Sequence, residues 1–199
     1  MYNVEHYKKI FEQYGGMMRT GQLEAEKVFY ARRQQLMEDG YVEKICPGCY
    51  QWIDHEDFSE VGTVMRLFPD AIFCMDTALL HYGYSDRTPM EWHLAVSKDS
   101  GKSRFRLHYP HVKAYYLEPT LLEMGLTTGE KDGHIIRIYD RHRVICDCLR
   151  YRNKMDRELF NKAIRTYVID PKKNVNLLMK YAEQLRVKKV AIDLISIWL

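Results

Sequence analysis

Three helical segments and a short hairpin follow one another in the first 53 residues, and this order constrains the N-terminal fold more than any other feature. Apolar residues recur at helical spacing over residues 3–14, before a Gly-Gly pair that ends the first helix. A short second helix is predicted to open at Thr20 as its N-cap. A third helix is predicted over residues 28–40 and closes on Gly40. Its inward-facing residues should be Phe29, Leu36 and Met37.

A two-stranded hairpin is predicted directly after the third helix. Polar and apolar residues alternate over 41–45 and again over 49–53, on either side of the dipeptide Pro47-Gly48. Pro followed by Gly suits the two central positions of a type II turn. Helix, short helix, helix and hairpin is the order of elements in a winged helix-turn-helix, so the Pro-Gly turn is predicted to be the tip of the wing.

Cys46 and Cys49 flank this turn, and the pair has three interpretations: half of a zinc site, a redox pair, or the two ends of a tight turn. A structural zinc site needs four ligands, and His55, Cys74 and Cys146 have no spacing that completes a set. We therefore expect no metal and no other cofactor. The pair is interpreted as part of the wing tip, with reversible oxidation of the two thiols as a secondary alternative.

A polar stretch over residues 54–62 marks a domain boundary, which we place between residues 56 and 57. Residues 1–56 then form the winged helix-turn-helix, and residues 57–199 form a larger mixed α+β domain with a helical C-terminus. A short helix in this second domain is predicted to begin at Asp76 as N-cap. The other predicted elements are strands over 90–98 and 103–110, a hairpin over 126–140 with its turn at 131–133, and helices over 140–151, 156–169 and 174–187.

Composition indicates a chain that buries a core and stays in solution, with 46% hydrophobic and 29% charged residues. No apolar run approaches membrane-spanning length, and residues 1–9 lack the apolar core of a secretory signal. The five cysteines are an odd number and are expected to be reduced thiols. The sequence therefore predicts a cytoplasmic protein with no membrane partner, monomeric or weakly dimeric in solution.

The third helix carries the side chains that would read DNA. Arginine can bridge the O6 and N7 atoms of guanine, and glutamine can pair with the N6 and N7 atoms of adenine. A helix of this kind, placed before a hairpin, is predicted to face the major groove, although an ordinary solvated face is the alternative. The predicted outward residues of this helix are Tyr30, Arg32, Arg33, Gln34 and Gln35. Arg19 and Thr20 at the start of the second helix, and Lys44 on the hairpin, are predicted to contact phosphates.

The charge balance runs against this prediction, because residues 1–58 hold seven Lys/Arg against ten Asp/Glu. Residues 137–165 hold nine basic and four acidic residues, so the second domain is a source of the missing positive charge. We predict a basic surface there that either faces nucleic acid or serves a protein partner. Its residues are Arg137, Arg141, Arg143, Arg150 and Arg152.

Catalysis finds little support in the sequence. The histidines of the middle and later parts of the chain lack metal-ligand spacing such as His-Glu-x-x-His. Asp140 and His142 come nearest to an acid–base pair, and an N-capped helix with an exposed histidine explains them equally well. No glycine-rich phosphate-binding loop is present. We expect a protein that is not an enzyme.

Three stretches taken together resemble the AbiEi family of antitoxins, which belong to type IV toxin–antitoxin systems of abortive infection and phage defence. They are GGMMRTGQL, YARRQQLMEDGYVEKICPGCY and FPDAIFCMDTALLHYGYSDRTPMEWHLAVSK. The resemblance covers residues 8–110. It implies that an N-terminal winged helix binds inverted repeats upstream of its own operon and represses transcription. It also implies that the C-terminal domain counteracts a nucleotidyltransferase toxin without a stable complex.

A second hypothesis keeps the N-terminal domain as a DNA-binding domain and gives the C-terminal domain a different role. In it, the C-terminal domain senses a ligand or a metal, and the protein regulates transcription without a toxin partner. A third and weaker hypothesis is a nucleic-acid-processing enzyme that the winged helix tethers to its substrate.

Overall fold

The structure is a computed structural model that describes residues 3–53, 59–107 and 109–195. The described residues form a mixed α+β protein with ten α-helices and two β-sheets, as predicted for the fold class. They divide into two compact units: unit 1 is Met1–Pro69 with Arg106–Pro110, and unit 2 is Asp70–Phe105 with His111–Leu199. The boundary predicted between residues 56 and 57 lies outside the described residues. No helix in the described part of the chain is both long and apolar enough to cross a membrane.

Unit 1 contains the predicted series of helices and hairpin, followed by one more helix. Its elements are α1 (Val4–Gln13), β1 (Met17–Arg19), α2 (Thr20–Ala25), α3 (Tyr30–Glu38), β2 (Val42–Cys46), β3 (Cys49–Trp52) and α4 (Glu60–Leu67). The three strands form an antiparallel sheet in the order β1-β3-β2. The predicted hairpin is confirmed, with Cys46 directly opposite Cys49 across its turn.

Apolar side chains from the helices and the sheet close one core in unit 1. The fully or nearly buried members are Ile10, Phe11, Met18, Leu23, Val28, Leu36, Val42 and Trp52. Burying one such large side chain contributes roughly 1.5–3 kcal/mol. Trp52 lies between two aromatic rings, 5.6 Å from Phe11 and 5.7 Å from Tyr41 between ring centroids. The helices are therefore fixed on the sheet by a shared apolar cluster and not by their own helix propensity.

Phe29 does not face inward as predicted, because the turn after α2 places its neighbour in the core. Lys27 adopts a left-handed conformation with φ +59°, and the Val28 N–H donates to the Leu23 carbonyl at 2.7 Å. This closing pattern ends α2 and points Val28 into the core, where it is fully buried. Phe29 then becomes the N-cap of α3 and is 60% exposed.

Unit 2 is built on a five-stranded mixed sheet. The strands are β4 (Ile72–Phe73), β5 (Trp92–Ser97), β6 (Val112–Leu117), β7 (Leu126–Lys131) and β8 (His134–Tyr139), arranged in the order β6-β5-β4-β8-β7. The pairs β5–β6 and β4–β8 are parallel, and the pairs β4–β5 and β7–β8 are antiparallel. The predicted hairpin over 126–140 is confirmed, and its turn residues Asp132 and Gly133 both have positive φ, +49° and +75°.

The strand predicted over residues 103–110 is wrong. Lys102–Phe105 forms a turn of 3-10 helix, and the next strand after β5 along the chain is β6, which begins only at Val112 and pairs with β5 in parallel. Two tertiary contacts hold this turn in place. Arg104 binds both carboxylate oxygens of Asp70 at 2.6 and 3.0 Å, and Phe105 meets the ring of Tyr116 edge-on at 6.0 Å. These contacts override the local alternation.

The helices of unit 2 are α5 (Met75–His81), α6 (Pro119–Leu122), α7 (Arg141–Tyr151), α8 (Arg157–Ile169), α9 (Val175–Gln184) and α10 (Lys188–Ile195). The three long helices predicted near the C-terminus are confirmed, and each begins after a side chain that caps its free N–H groups. These caps are Asp140, Asp156 and Asn174. The cap predicted for α5 is wrong, because Cys74 holds that position and Asp76 lies inside the first turn.

Candidate nucleic-acid interface

Arg33 is buried inside unit 1 and does not belong to the outward face of α3, which corrects its prediction as a base-reading residue. It is 8% exposed, and its guanidinium lies 5.5 Å from the ring centroid of Tyr50 on β3. One nitrogen, Nη1, is 3.8 Å from a carboxylate oxygen of Glu24 on α2. Nε and Nη1 have no hydrogen-bond partner among the described residues. Arg33 therefore packs α3 against α2 and the sheet.

Arg32 lies on the side of α3 that borders α1 and is half-buried. Its Nη1 donates to Oε1 of Gln35 at 2.8 Å, and its guanidinium carbon lies 5.5 Å from the ring centroid of Tyr7. A stacked guanidinium with a side-chain acceptor is held in place by both contacts. Arg32 is accordingly at the flank of α3 and engaged with residues of its own unit.

The outward stripe of α3 carries one small side chain, two amides and one carboxylate. Ala31, Gln35 and Glu38 are exposed, and Gln34 is half-buried. These four residues recur at intervals of three and four and so share one side of the helix. Tyr30 stands at the first turn and is 66% exposed. Among the five residues predicted to face DNA, the structure places Tyr30, Gln34 and Gln35 at the surface, Arg32 at the flank and Arg33 in the interior.

The N-cap of α2 is Arg19 and not Thr20, which corrects the predicted cap. Arg19 is exposed, and its backbone N–H donates to Oε1 of Gln22 at 2.7 Å. Thr20 is the first helical residue, and both of its donors face the hairpin turn. Its N–H lies 2.9 Å and its hydroxyl 3.4 Å from the carbonyl oxygen of Gly48. Arg19 is therefore available to a phosphate, whereas the donors of Thr20 already have an acceptor.

The hairpin turn has the geometry expected from its sequence. Gly48 has φ +77°, which the third position of a type II turn requires and which glycine adopts without strain. Lys44 on β2 is exposed, as predicted. Burial and a hydrogen bond with Cys49 raise the pKa of the Cys46 thiol to about 12, so the thiol stays protonated and weakly nucleophilic at neutral pH. Among the described residues, no group of three or more His, Cys, Asp or Glu side chains could hold a metal ion.

The five arginines of the predicted basic surface fall into three environments within unit 2. Arg150 and Arg152 are exposed. Arg137 pairs with Glu123 at 3.5 Å, and Arg141 pairs with Asp170. Arg143 is completely buried, so its prediction as a surface residue is wrong. The candidate surface is reduced to Arg150 and Arg152.

Arg143 is the centre of a buried polar cluster. Its Nε lies 3.1 and 3.2 Å from the two carboxylate oxygens of Asp147, and its Nη1 donates to the carbonyls of Leu121 and Met124 at 2.6 and 2.7 Å. Its guanidinium carbon lies 4.2 Å from the ring centroid of Tyr139. Burial raises the pKa of Asp147, and the Arg143 guanidinium opposes that rise. The sequence contains a signal for this buried pair, because Asp147 interrupts the apolar run VICDCL four residues after Arg143.

A second polar cluster of unit 2 is not predicted by any pattern in the sequence. The His93 ring lies with Nδ1 3.2 Å from the Tyr115 hydroxyl and 3.4 Å from the backbone nitrogen of Asp76. Its Nε2 is 3.9 Å from a carboxylate oxygen of Glu91. Burial lowers the pKa of His93, although the carboxylates of Asp76 and Glu91 act in the opposite direction and raise it. Met75, next to Asp76, has φ +44°, an unusual value for a residue other than glycine.

No protein-family model matches the chain, and no curated protein matches it. The resemblance to AbiEi antitoxins therefore stays a prediction from the quoted motifs.

Proposed function

We propose that unit 1 is a winged helix-turn-helix that binds double-stranded DNA, with α3 in the major groove and the β2–β3 hairpin as the wing. The observation that carries the proposal is the order α1, β1, α2, α3, β2, β3 with a sheet in the order β1-β3-β2. Four residues separate α2 from α3, the length of turn found in helix-turn-helix proteins. This arrangement presents one face of α3 to a duplex while the other face packs on the core.

The exposed side chains support the same assignment. Gln34 and Gln35 have the donor and acceptor groups that read base edges. Arg19 before α2 and Lys44 on the hairpin are exposed cations at positions suited to phosphates. With these two cations as the phosphate contacts, the slope of log K against log salt concentration should be about −2 per chain. Arg150 and Arg152 of unit 2 are the further candidates for contact with nucleic acid.

The biological role follows from the quoted motifs. We propose that the protein is a cytoplasmic type IV antitoxin of the AbiEi kind, which represses its own operon through unit 1. Unit 2 would counteract a nucleotidyltransferase toxin without a stable complex and without catalysis of its own. The cluster of Asp76, Glu91, His93 and Tyr115 favours a second candidate, in which unit 2 binds a small ligand and the protein is a ligand-responsive regulator.

The DNA proposal is tested by the affinity of the full chain for the duplex upstream of its own gene, measured by fluorescence anisotropy with unlabelled competitor DNA. We expect binding to this duplex at least tenfold tighter than to a scrambled one. The double variant Gln34→Ala with Gln35→Ala should lose that preference, because each amide–adenine pair contributes about 1–3 kcal/mol. Gln13→Ala, an exposed glutamine on α1, is the matched control. Equal affinity for both duplexes would refute sequence recognition through α3, and no binding to either duplex would refute the DNA-binding proposal.

The antitoxin role needs its own experiment. Growth is followed while a neighbouring nucleotidyltransferase-like gene is expressed with the full chain or with a variant of unit 1 that no longer binds DNA. We expect both chains to rescue growth, because counteraction of the toxin is assigned to unit 2 and not to the DNA-binding unit 1. A failure of both to rescue would exclude the antitoxin role and leave the ligand-responsive regulator.

A further inference from the structure

We propose that α3 reads A·T base pairs and not the guanines that its two arginines suggest; this rests on the DNA-binding function proposed above. Guanine is most often read by arginine or lysine, which bridges its O6 and N7 atoms. Guanine readout by α3 therefore requires a cation of this helix that can reach a base edge. The whole of Tyr30–Glu38 is described by the structure, so its composition on each side is known.

Neither arginine of α3 lies on the outward stripe. Arg33 is 8% exposed and packed between Glu24 and Tyr50. Arg32 is stacked near Tyr7 and donates to Gln35. Moving Arg33 to the surface would unpack α3 from the sheet. Moving Arg32 would break its hydrogen bond and its stacking contact, so guanine readout by either residue is disfavoured.

The outward stripe instead carries the groups that recognise adenine and thymine. Gln34 and Gln35 end in amides, which pair with the N6 donor and N7 acceptor of adenine. Ala31 presents a methyl group between them, and a methyl group suits the C5-methyl of thymine. The Arg32 hydrogen bond uses one of the two lone pairs of Oε1 of Gln35 and holds that oxygen toward Arg32. Gln34 is therefore the stronger candidate for a two-bond contact with adenine.

The aromatic pair at the start of α3 extends this apolar character. Phe29 and Tyr30 are 60% and 66% exposed, and they stand at the end of the helix that reaches base edges first in helix-turn-helix complexes. An aromatic edge packs on a thymine methyl group and carries no charge that would favour guanine. Glu38 is exposed at the opposite end, where a carboxylate keeps that end of α3 away from the phosphates.

The test begins with selection of binding sites from a randomised duplex library by the full-length chain. Each thymine of the enriched site is then replaced by uracil, which removes only the C5-methyl group. Each adenine is replaced by 7-deazaadenine, which removes only the N7 acceptor. We expect at least one 7-deazaadenine to weaken binding by about 5- to 150-fold. We expect at least one uracil substitution to weaken binding by about threefold or more, which is less than the 7-deazaadenine effect.

Protein variants connect each effect to its side chain. The 7-deazaadenine effect should disappear in Gln34→Ala, and a uracil effect should disappear in Phe29→Ala or Ala31→Gly. Gln13→Ala should retain all effects. These four residues are exposed or half-buried, so the variants should fold, and circular dichroism checks that they do.

The outcomes separate this inference from the function on which it rests. Failure to enrich any site refutes the DNA-binding function and the A·T inference together. Enrichment of G·C pairs, sensitive to 7-deazaguanine and abolished by Arg32→Ala, overturns the A·T inference and leaves DNA binding intact. Sensitivity to uracil and 7-deazaadenine that is lost in the named variants supports both.

Discussion

Arg33 in unit 1 and Arg143 in unit 2 are both buried, yet they are buried in different ways. Arg143 has a carboxylate at hydrogen-bond distance, two carbonyl acceptors and an aromatic ring 4.2 Å from its guanidinium carbon, and its Nη2 is its one nitrogen without a hydrogen-bond partner among the described residues. Arg33 has one carboxylate at 3.8 Å and an aromatic ring, and two of its nitrogens lack a hydrogen-bond partner among the described residues. Burial alone therefore does not determine how much an arginine contributes to the free energy of unfolding. That contribution depends on how many of its hydrogen bonds are satisfied.

The largest effect is expected for Arg143→Met. Removing the guanidinium leaves Asp147 buried without its partner, and breaking a buried pair in this way costs about 3–5 kcal/mol. Urea unfolding, followed separately in each unit by hydrogen exchange, measures the change. Arg150→Ala, an exposed arginine on the same helix, is the control and should shift stability by about 0.5 kcal/mol or less. If Arg143→Met does not fold, the double variant Arg143→Met with Asp147→Leu should recover folding. A stable single variant would contradict the comparison.

A smaller loss is expected for Gly125→Ala, which disturbs Arg143 without removing it. Gly125 has φ +76°, and a Cβ atom there would lie 2.6 Å from Cβ of Arg143. Both the conformation and the close approach oppose a side chain, so we expect about 2 kcal/mol of destabilisation. Gly133→Ala is the matched control, because it has φ +75° and open space around it. Equal losses for both variants would show that conformation, and not contact with Arg143, explains the effect.

Acidification should weaken unit 2 through three histidines, of which His93 and His142 are buried and His81 is half-buried. Burial lowers the pKa values of His81, His93 and His142 in the folded state. Below a pH of about 6.5 the unfolded chain binds protons that the folded chain resists, so stability falls as pH falls. For each histidine, a tenfold difference in proton affinity between the folded and unfolded states costs about 1.4 kcal/mol of stability at low pH. Urea unfolding between pH 7.5 and 5.0 measures it.

His93→Gln isolates one contribution to this pH dependence. The variant should flatten the decline in stability of unit 2 between pH 7.5 and 5.0, because its side chain does not titrate. The neighbouring charged groups, Asp76, Glu91 and Lys113, remain in place. An unchanged pH profile would mean that His93 is not among the groups responsible.

The smallest effect is expected for Arg33→Met. Methionine keeps the length and apolar contact of the side chain and removes the two nitrogens that lack partners. Replacing an incompletely satisfied charge by an apolar group of similar shape is often neutral, so we expect a change of about 1 kcal/mol or less in either direction. Thermal unfolding measures it beside Arg143→Met. A loss of 3 kcal/mol or more, on the same order as a broken buried pair, would remove the distinction between the two arginines.

Local signals made much of the fold predictable. Asp140, Asp156 and Asn174 each precede a helix and bond to its free N–H groups, and such caps act over three residues. The turn at Pro47-Gly48 was equally local, because glycine there supplies the required positive φ. These features depend on neighbours in the chain and are therefore visible in one sequence.

Contacts between distant residues explain what the sequence did not reveal. The strand predicted over 103–110 was displaced by contacts of Arg104 with Asp70 and of Phe105 with Tyr116. The inward position of Arg33 could have been inferred, because it stands three residues before Leu36 and four before Met37 on the predicted apolar face. The positive charge of Arg33 instead favoured the solvent-exposed face of α3 in the prediction. The His93 cluster joins residues from separate elements and left no local pattern.

The outward stripe of α3 has a consequence for how such a protein changes over time. Ala31, Gln34 and Gln35 lie outside the apolar core, so substitutions there alter the free energy of unfolding little. Leu36, which packs α3 into that core, lies apart from them. Under the proposed function, two or three mutations at the stripe would redirect the protein to a new operator while the fold stays constant. Duplicated copies in one genome would then diverge in the DNA they recognise without passing through an unstable intermediate.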